Sequence, residues 1–292
     1  MQSRPLGPGA PAVSAVGFGA MPLSIQGRPE DERVALRVIH AALDAGMTLV
    51  DTADVYCLDQ HDVGHSERLV AKALASWGGR RDAVVVATKG GITRPEGRWD
   101  LDGRPAALRR ACERSLRALG TDCIPLYQFH RPDPNVPFAE SVGALADLRR
   151  EGKVRWVGLS NVSVAQIREA AAIVPVTTVQ NRLNPFFREA LEEGVVAHCA
   201  REGIGFLAYS PVGGGRLNRK LPAMETLWSI ARAHGASPHA VVLAWVLAQG
   251  PTVIAIPGAR SPEHATDSAT AGALTLTPGD LAALDGASFS RE

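Results

Sequence analysis

The stretch MTLVDTADVY, Met47–Tyr56, places an acid at the end of a short apolar run and a phenol five residues later. A short apolar run of this kind predicts a buried β-strand, here Met47–Asp51. A second apolar run, Ala83–Thr88, is followed directly by Lys89. A carboxylate, a phenol and an ammonium form a proton-transfer set when a fold brings them together. The fold of the remaining chain therefore decides whether these residues make a site.

Runs typical of strands alternate with runs typical of helices along the whole chain. Apolar stretches predict eight strands, at Val13–Met21, Met47–Asp51, Ala83–Thr88, Ile124–Phe129, Val154–Leu159, Val176–Val179, Gly205–Ala208 and Thr252–Ile256. Helical spacing of apolar residues predicts helices at Asp31–Gly46, Ser66–Leu74, Ala106–Leu119 and Ala190–Arg201, one that ends at Gly152, and others that begin at Val164, Pro238, Pro262 and Pro278.

Capping residues mark the starts of several of these helices. Ser66 is suited to cap the second helix through its hydroxyl oxygen. Ser163 and Gln166 have the spacing of a capping box. Ser237-Pro238 places a cap before a proline at the first helical position. These helix starts agree with the alternation of strands and helices.

This alternation predicts parallel strands that are joined by right-handed crossovers. Eight such units predict an α/β fold with a single (β/α)8 TIM barrel, with a short N-terminal β-hairpin and extra C-terminal helices. The 292 residues suit one barrel domain, because such barrels run to about 250 residues, and we predict one domain over residues 1–292. An open doubly wound sheet is the alternative, but no Gly-x-Gly-x-x-Gly turn follows the first strand.

The composition narrows the class of protein. A formal net charge of +1 and the absence of a basic run give no argument for nucleic acid or an acidic membrane. No apolar run suits a signal peptide or a membrane span, and the cysteines are far apart in sequence, so we expect a cytoplasmic protein with reduced thiols. His61 and His65 lack a third ligand, so we predict no metal site. The oligomeric state stays open.

Polar residues follow nearly every predicted strand. In a parallel barrel, active sites lie at the C-terminal ends of the strands. A random polar residue has no reason to mark each strand end, so the shared register predicts a site there. The residues in this register are Asp51, Lys89, His130, Ser160-Asn161, Gln180-Asn181, Tyr209-Ser210 and Gly258-Ala259-Arg260.

The same motifs resemble those of the aldo-keto reductase family, in order and nearly end to end. They are Asp51–Tyr56, Ala87–Lys89, Gln128–Asp133, Gly158–Asn161, Val179–Asn181, Ala208–Pro211 and Ile256–Arg260. The resemblance implies an NADPH-dependent oxidoreductase that reduces an aldehyde or ketone to the alcohol by hydride transfer. Its partner would be a small-molecule carbonyl substrate.

The resemblance also implies catalytic roles for four residues. Tyr56 would be the general acid, although a free phenol with a pKa of about 10 is a poor acid at neutral pH. Lys89, held by Asp51, would lower that pKa by its positive charge. His130 would donate a hydrogen bond to the substrate oxygen or share in proton delivery, and the sequence does not separate these two roles.

Cofactor contacts follow from the same resemblance. Ser160, Asn161 and Gln180 would hold the nicotinamide carboxamide, and Tyr209 would stack on the ring. Arg260 would pair with the 2′-phosphate of NADPH, and Asp267-Ser268 stands where the family commonly has Glu-Asn beside the adenine. The first two strands, the phosphate loops after strands seven and eight and the helix that begins at Pro262 would supply the remaining contacts. These are Gly19, Met21, Asp51, Ser210, Pro211, Val212, Gly213, Gly215, Leu217, Ile256, Pro257, Gly258, Ala259, His264 and Asp267.

Three further interpretations concern the use of this site. Trp99, in the long loop after the third strand, would line the substrate pocket or anchor the loop to the barrel rim. A nucleotide-binding regulatory subunit could keep the fold with little turnover. A barrel lyase or aldolase could instead use Lys89 as a Schiff-base amine.

Overall fold

The computed structural model of the protein describes residues 1–291. Its strands are β1 (Ser3–Pro5), β2 (Ala12–Ser14), β3 (Phe18–Gly19), β4 (Leu49–Asp51), β5 (Val85–Gly90), β6 (Ile92–Thr93), β7 (Asp100–Leu101), β8 (Ile124–Phe129), β9 (Val154–Ser160), β10 (Val176–Arg182), β11 (Gly205–Tyr209) and β12 (Val253–Ile256). No helix in these residues is long and apolar enough to cross a membrane.

Helices follow the barrel strands. They are α1 (Glu32–Asp44), α2 (His65–Ser76), α3 (Pro105–Leu119), α4 (Phe138–Arg150), α5 (Val164–Ala171), α6 (Glu189–Glu192), α7 (Val195–Glu202), α8 (Gly214–Leu217), α9 (Glu225–His234), α10 (Pro238–Ala248), α11 (Pro262–Thr270) and α12 (Pro278–Gly286). Short 3-10 turns lie at Met21–Leu23, Arg81–Ala83, Pro95–Gly97 and Asn218–Ala223.

The barrel is one parallel sheet with the strand order β12-β11-β10-β9-β8-β5-β4-β3. It closes on itself because the amide of Gly17 donates to the carbonyl of Ala255 at 2.8 Å, and the amide of Ala255 donates to Ala15 at 3.0 Å. Beside this seam, a Cβ at Gly19 would lie 2.9 Å from the carbonyl oxygen of Ile256. Only glycine allows so close an approach. The predicted (β/α)8 barrel is confirmed.

The barrel interior changes from apolar at one end to polar at the other. Leu49 and Asp51 are two residues apart on β4, as Leu126 and Gln128 are on β8, so each pair shares the inward face. The predicted hairpin, β1 with β2, is antiparallel, and Leu6 beside it is fully buried. The apolar end is filled by Leu6, Val13, Leu49, Val85, Ala87, Leu126, Leu207, Ile254 and Ile256.

One predicted strand was wrong in extent. Val13–Met21 divides into the end of the hairpin and the short barrel strand β3. The chain bends between them, where the hydroxyl of Ser14 donates to the carbonyl of Val16 at 2.7 Å. The bend lets the chain pass from the hairpin into the barrel wall.

Two helix predictions also need correction. Ser66 does not cap α2, because the helix begins at His65, two residues earlier than a Ser66 cap would place it. The buried Ser66 hydroxyl instead accepts from Thr52 at 2.8 Å. The helix Ala190–Arg201 is interrupted at Gly194, whose φ of 75° ends α6 before α7 begins. The predicted caps at Ser163 and Ser237 are confirmed, since both side chains accept from backbone amides. Ser261 and Thr277 cap two further helices in the same way.

A buried pair of acids lies behind the strand ends. Asp54 and Glu67 are both fully buried. Arg114 on α3 donates to Asp54 Oδ2 at 3.2 Å, and the hydroxyl of Thr88 donates to Glu67 Oε1 at 2.5 Å. Asp54 Oδ1 and Glu67 Oε2 have no hydrogen-bond partner in the part of the chain that the structure describes. Since Thr88 precedes Lys89, Glu67 fixes the strand end that carries the lysine.

The two acids cannot both ionise easily. Burial and the nearby charge of Glu67 raise the pKa of Asp54 to about 8, although Arg114 opposes the rise. Burial also raises the pKa of Glu67. Two buried carboxyls that share one arginine therefore keep a proton at neutral pH.

Replacing one acid of this pair will change the pH dependence of stability. The folded state holds a proton that the unfolded carboxyl releases above about pH 4, so the free energy of unfolding falls as pH rises from about 5 to 8. Asp54→Asn removes one of the two carboxyls, so the curve should become flatter across this window. Urea unfolding at several pH values measures the slope.

The matched control is Asp82→Asn, since the Asp82 side chain is 72% exposed in its ion pair with Arg80. Its curve should follow that of the wild type. An Asp54→Asn slope equal to the wild-type slope would show that the pair does not hold the extra proton.

Candidate active site

A cleft with a volume of about 1000 Å³ lies at the C-terminal ends of the barrel strands. Asp51, Tyr56, His130 and Trp99 line it, and Lys89 lies buried behind its wall. Most predicted cofactor residues also line the cleft, namely Gly19, Met21, Asp51, Ser160, Asn161, Gln180, Tyr209, Ser210, Pro211, Val212, Gly215, Ile256, Pro257, Gly258, Ala259, Arg260, His264 and Asp267.

Two predicted cofactor residues do not line the cleft. Leu217 is buried, and Gly213 has a φ of 89° at the start of α8. A Cβ at Gly213 would meet the Cβ of Leu217 at 2.8 Å. The two residues therefore pack against each other and support the loop after β11 on the side away from the cleft.

Lys89 is the centre of the polar end of the barrel. Its ammonium donates to Asp51 Oδ1 at 2.5 Å, to the carbonyl of Thr52 at 2.9 Å and to the hydroxyl of Tyr56 at 3.1 Å. All three donors of the ammonium are thus engaged. Asp51 and Lys89 end neighbouring strands, and Tyr56 follows in the loop after β4. The three residues that the sequence singled out are in direct contact.

Two glutamines complete the surroundings of Asp51. Gln128 Nε2 donates to Asp51 Oδ2 at 3.1 Å, and Gln180 Nε2 donates to the same oxygen at 2.7 Å. From the sequence, Gln128 has no predicted role and Gln180 only a predicted cofactor contact. Both side chains lie on the inward face of their strands, and the alternation of inward and outward positions along each strand could have identified them. Together they hold the carboxylate that holds Lys89.

Opposing effects act on the pKa of the phenol. Burial raises the pKa of Tyr56 above its ordinary value, and the positive charge of Lys89 lowers it again in part. The lysine therefore acts in the predicted direction, although the net pKa of the phenol stays raised. For Lys89, burial alone favours the neutral amine, but Asp51 and Tyr56 outweigh it and raise the pKa.

His130 faces the phenol as a neutral ring. The rings of Tyr56 and His130 lie edge to face, with centroids 5.8 Å apart. Burial and the charges of Lys89 and Arg131 hold the pKa of His130 well below its ordinary range. Its Nδ1 finds no hydrogen-bond partner among residues 1–291. A neutral imidazole in this position can donate one hydrogen bond into the cleft.

Asn161 organises the wall opposite Tyr56. Its Nδ2 donates to the carbonyl of His130 and to Ser160 Oγ, each at 3.0 Å, and its Oδ1 accepts from the hydroxyl of Tyr209 at 2.8 Å. Asn161 and Ser210 both have positive φ, at 59° and 49°. Such strained residues cluster at functional sites. The wall presents amide groups beside a tyrosine ring.

The far end of the cleft is basic. Arg260 lines it, with Nε 3.3 Å from the carbonyl of Pro22 and Nη2 3.2 Å from that of Gln26. Asp267 also lines it, but its carboxylate accepts from the hydroxyl of Ser237 at 2.7 Å. That bond ties Asp267 to the start of α10.

Of His61 and His65, the second contacts an acid. His65 Nδ1 lies 3.3 Å from Asp62, which also receives Arg28 at 2.7 Å. Nowhere in the described chain do three or more His, Cys, Asp or Glu side chains group as a metal site requires.

Sequence and structure comparisons relate this chain to known proteins. The model of the aldo/keto reductase family matches residues 15–288. The aldo-keto reductase str7 of Strobilurus tenacellus is 35% identical over 312 aligned positions, which cover 94% of this chain and 89% of that protein.

Solved structures give the same result. The glycerol dehydrogenase AKR11B4 of Gluconobacter oxydans is 32% identical with a TM-score of 0.84, and the match covers 97% of this chain and 94% of that one. An aldo-keto reductase of Klebsiella pneumoniae, solved in complex with NADPH, is 29% identical with a TM-score of 0.81, with 98% and 95% covered. The chain therefore belongs to the aldo/keto reductase family and is an oxidoreductase.

Proposed function

We propose that the protein uses NADPH to reduce an aldehyde or ketone to the alcohol. The observation that carries the proposal is the hydrogen-bonded set of Asp51, Lys89 and Tyr56, which ends at the wall of the cleft. The Klebsiella pneumoniae relative binds NADPH. We infer the same cofactor here, because amides, a tyrosine ring and a guanidinium line one cleft in this chain.

Proton delivery is the task of Tyr56. NADPH, when bound, supplies the hydride for the carbonyl carbon. The phenol gives its proton to the carbonyl oxygen, and the negative charge left on Tyr56 is stabilised by Lys89, 3.1 Å from the phenol oxygen. Asp51 keeps Lys89 charged and in place. His130 donates a hydrogen bond that orients the same carbonyl oxygen.

The cofactor would lie along the wall that Asn161 organises. Ser160, Asn161 and Gln180 would hold the carboxamide, and the ring of Tyr209 would stack on the nicotinamide. The loop 210–217 would approach the pyrophosphate with backbone amides. Arg260 would bind the 2′-phosphate, where a guanidinium suits phosphate oxygens.

The two other interpretations fit the site less well. A Schiff-base lysine needs a lowered pKa, but Asp51 and Tyr56 raise the pKa of Lys89. A regulatory subunit would not need the complete set of Asp51, Tyr56, Lys89 and His130. Turnover by the wild-type protein separates this possibility from a reductase.

Tyr56→Phe should abolish reduction without loss of nucleotide binding. Without the hydroxyl no proton reaches the carbonyl oxygen, so kcat should fall at least about 100-fold. NADPH affinity, followed by nucleotide fluorescence, should stay within about twofold of the wild type. Tyr127→Phe is the matched control, because Tyr127 is buried and donates instead to the carbonyl of Leu108. Undiminished turnover in Tyr56→Phe would exclude the phenol as the acid.

Lys89→Met should shift the pH profile of the reverse reaction. Alcohol oxidation needs the phenolate of Tyr56 as base, and removal of the ammonium raises the pKa of the phenol. The rise of kcat/KM with pH should therefore move to higher pH. The measurement is the pH profile of alcohol oxidation with NADP⁺ for both proteins. An unshifted profile would contradict electrostatic control by Lys89.

Arg260→Ala should weaken NADPH binding selectively. Loss of the charged contact with the 2′-phosphate should raise the Kd for NADPH about tenfold or more. NADH lacks that phosphate, so its Kd should not change, and this also reports on any damage to the Pro22 and Gln26 contacts. Arg33→Ala is the surface control, since the Arg33 side chain is 82% exposed. An equal loss for both nucleotides would assign Arg260 a structural role only.

A further inference from the structure

The loop between β5 and α3 places an aromatic ring over the active site. This loop contains the small hairpin of β6 and β7, and Trp99 lies just before β7. Its side chain is half exposed, yet its ring stands edge to face with that of Tyr56, with centroids 6.5 Å apart. Trp99 thus forms a wall of the space where the carbonyl of a substrate would meet the phenol.

Arg94 lies beneath this ring, and its surroundings are unusual for a charged side chain. It is only 7% exposed, and it forms no ion pair within residues 1–291. Its Nη2 donates to the carbonyl of Leu58 at 2.9 Å, while Nε and Nη1 are buried with no hydrogen-bond partner in that same range. Burial of an unpaired charge is costly, so another interaction must compensate.

The face of Trp99 supplies that interaction. The guanidinium carbon of Arg94 lies 4.0 Å from the centre of the indole ring, within the range of a cation–π contact. The attraction strengthens when the cation is withdrawn from water. The carbonyl of Leu58 and the indole therefore hold Arg94 from two sides, and Arg94 in turn fixes the ring.

A second contact fixes the same loop. The amide of Glu96 donates to Gln60 Oε1 at 2.6 Å. Leu58 and Gln60 belong to the segment that follows Tyr56, so the loop of Trp99 is fastened to the segment of the catalytic phenol.

We propose that Arg94 is a positioning residue that sets substrate preference by holding Trp99 against the carbonyl site. The proposal rests on the proposed reductase function. The ring of Trp99 is joined in the cleft by Met21, Ile25, Ile92 and Leu101. A fixed flat ring in an apolar wall favours carbonyl substrates that carry a flat apolar group. Small aldehydes present little apolar surface to this wall beyond the carbonyl itself, so they should be less sensitive to it.

A double-mutant cycle tests the proposal. The variants are Arg94→Met, Trp99→Ala and the double variant, assayed with NADPH on benzaldehyde and on propanal. Arg94→Met should lower kcat/KM for benzaldehyde about three- to tenfold, mainly through KM. It should leave propanal within about twofold of the wild type. In the Trp99→Ala background the same substitution should have no further effect, because the residue acts through the ring.

The control is Arg98→Met in the same loop, since the Arg98 side chain is 72% exposed and should tolerate the change. If Arg94→Met does not fold, Arg94→Lys keeps the charge and loses the flat group. It should then lower kcat/KM for benzaldehyde more than for propanal, by a smaller factor than expected for Arg94→Met. Equal losses for both aldehydes, or equal effects of Arg94→Met with and without Trp99, would overturn the proposal.

A second readout does not depend on activity. Subtracting the fluorescence of Trp99→Phe from that of the wild type gives the emission of Trp99. Quenching of this emission by acrylamide reports how exposed the ring is. Arg94→Met should increase the quenching about twofold or more, even if no carbonyl is reduced. Unchanged quenching would refute the anchoring itself, whereas a wild type that neither binds NADPH nor reduces benzaldehyde would refute the reductase proposal alone.

Discussion

The buried ion pair of Lys89 and Asp51 is the interaction on which the polar end of the barrel depends. Removing two charges from water costs more than their attraction returns, unless the remaining donors and acceptors are also satisfied. Here the ammonium has three acceptors, and Gln128 and Gln180 both donate to the second oxygen of Asp51. Four barrel strands or their loops must keep register for these bonds to form. The closed barrel provides that constraint.

The layers around the pair follow from the same requirement. The apolar end of the barrel, covered by the hairpin and Leu6, excludes water from below. On the outer side, Glu67 accepts from Thr88 and so fixes the residue before Lys89. Its partner Asp54 belongs to the segment that carries Tyr56. The ion pair of Lys89 and Asp51 is thus positioned by side chains that are buried themselves. As a consequence, the two acids Asp54 and Glu67 retain a proton.

Much of this arrangement could be predicted from the sequence, because it depends on local patterns. Apolar runs and capping residues located the barrel strands and most helices, and the shared register of strand ends brought Asp51, Lys89 and His130 to one edge. Contacts between distant segments could not be predicted in this way. Arg94 is one charged residue of a polar loop until its stacking on Trp99 is seen. Ser66 has the sequence of a cap, but its tertiary contact with Thr52 prevails.

The charges bear on two roles that the sequence left open for His130. A histidine acts as a general acid in its charged form, because that form carries the extra proton. Lys89 and Arg131, together with burial, disfavour the charged ring and keep the pKa of His130 well below its ordinary range. The same ammonium that stabilises a phenolate on Tyr56 thus prevents an imidazolium beside it. In the proposed reaction we therefore expect the phenol to give the proton and the neutral ring to orient the substrate oxygen.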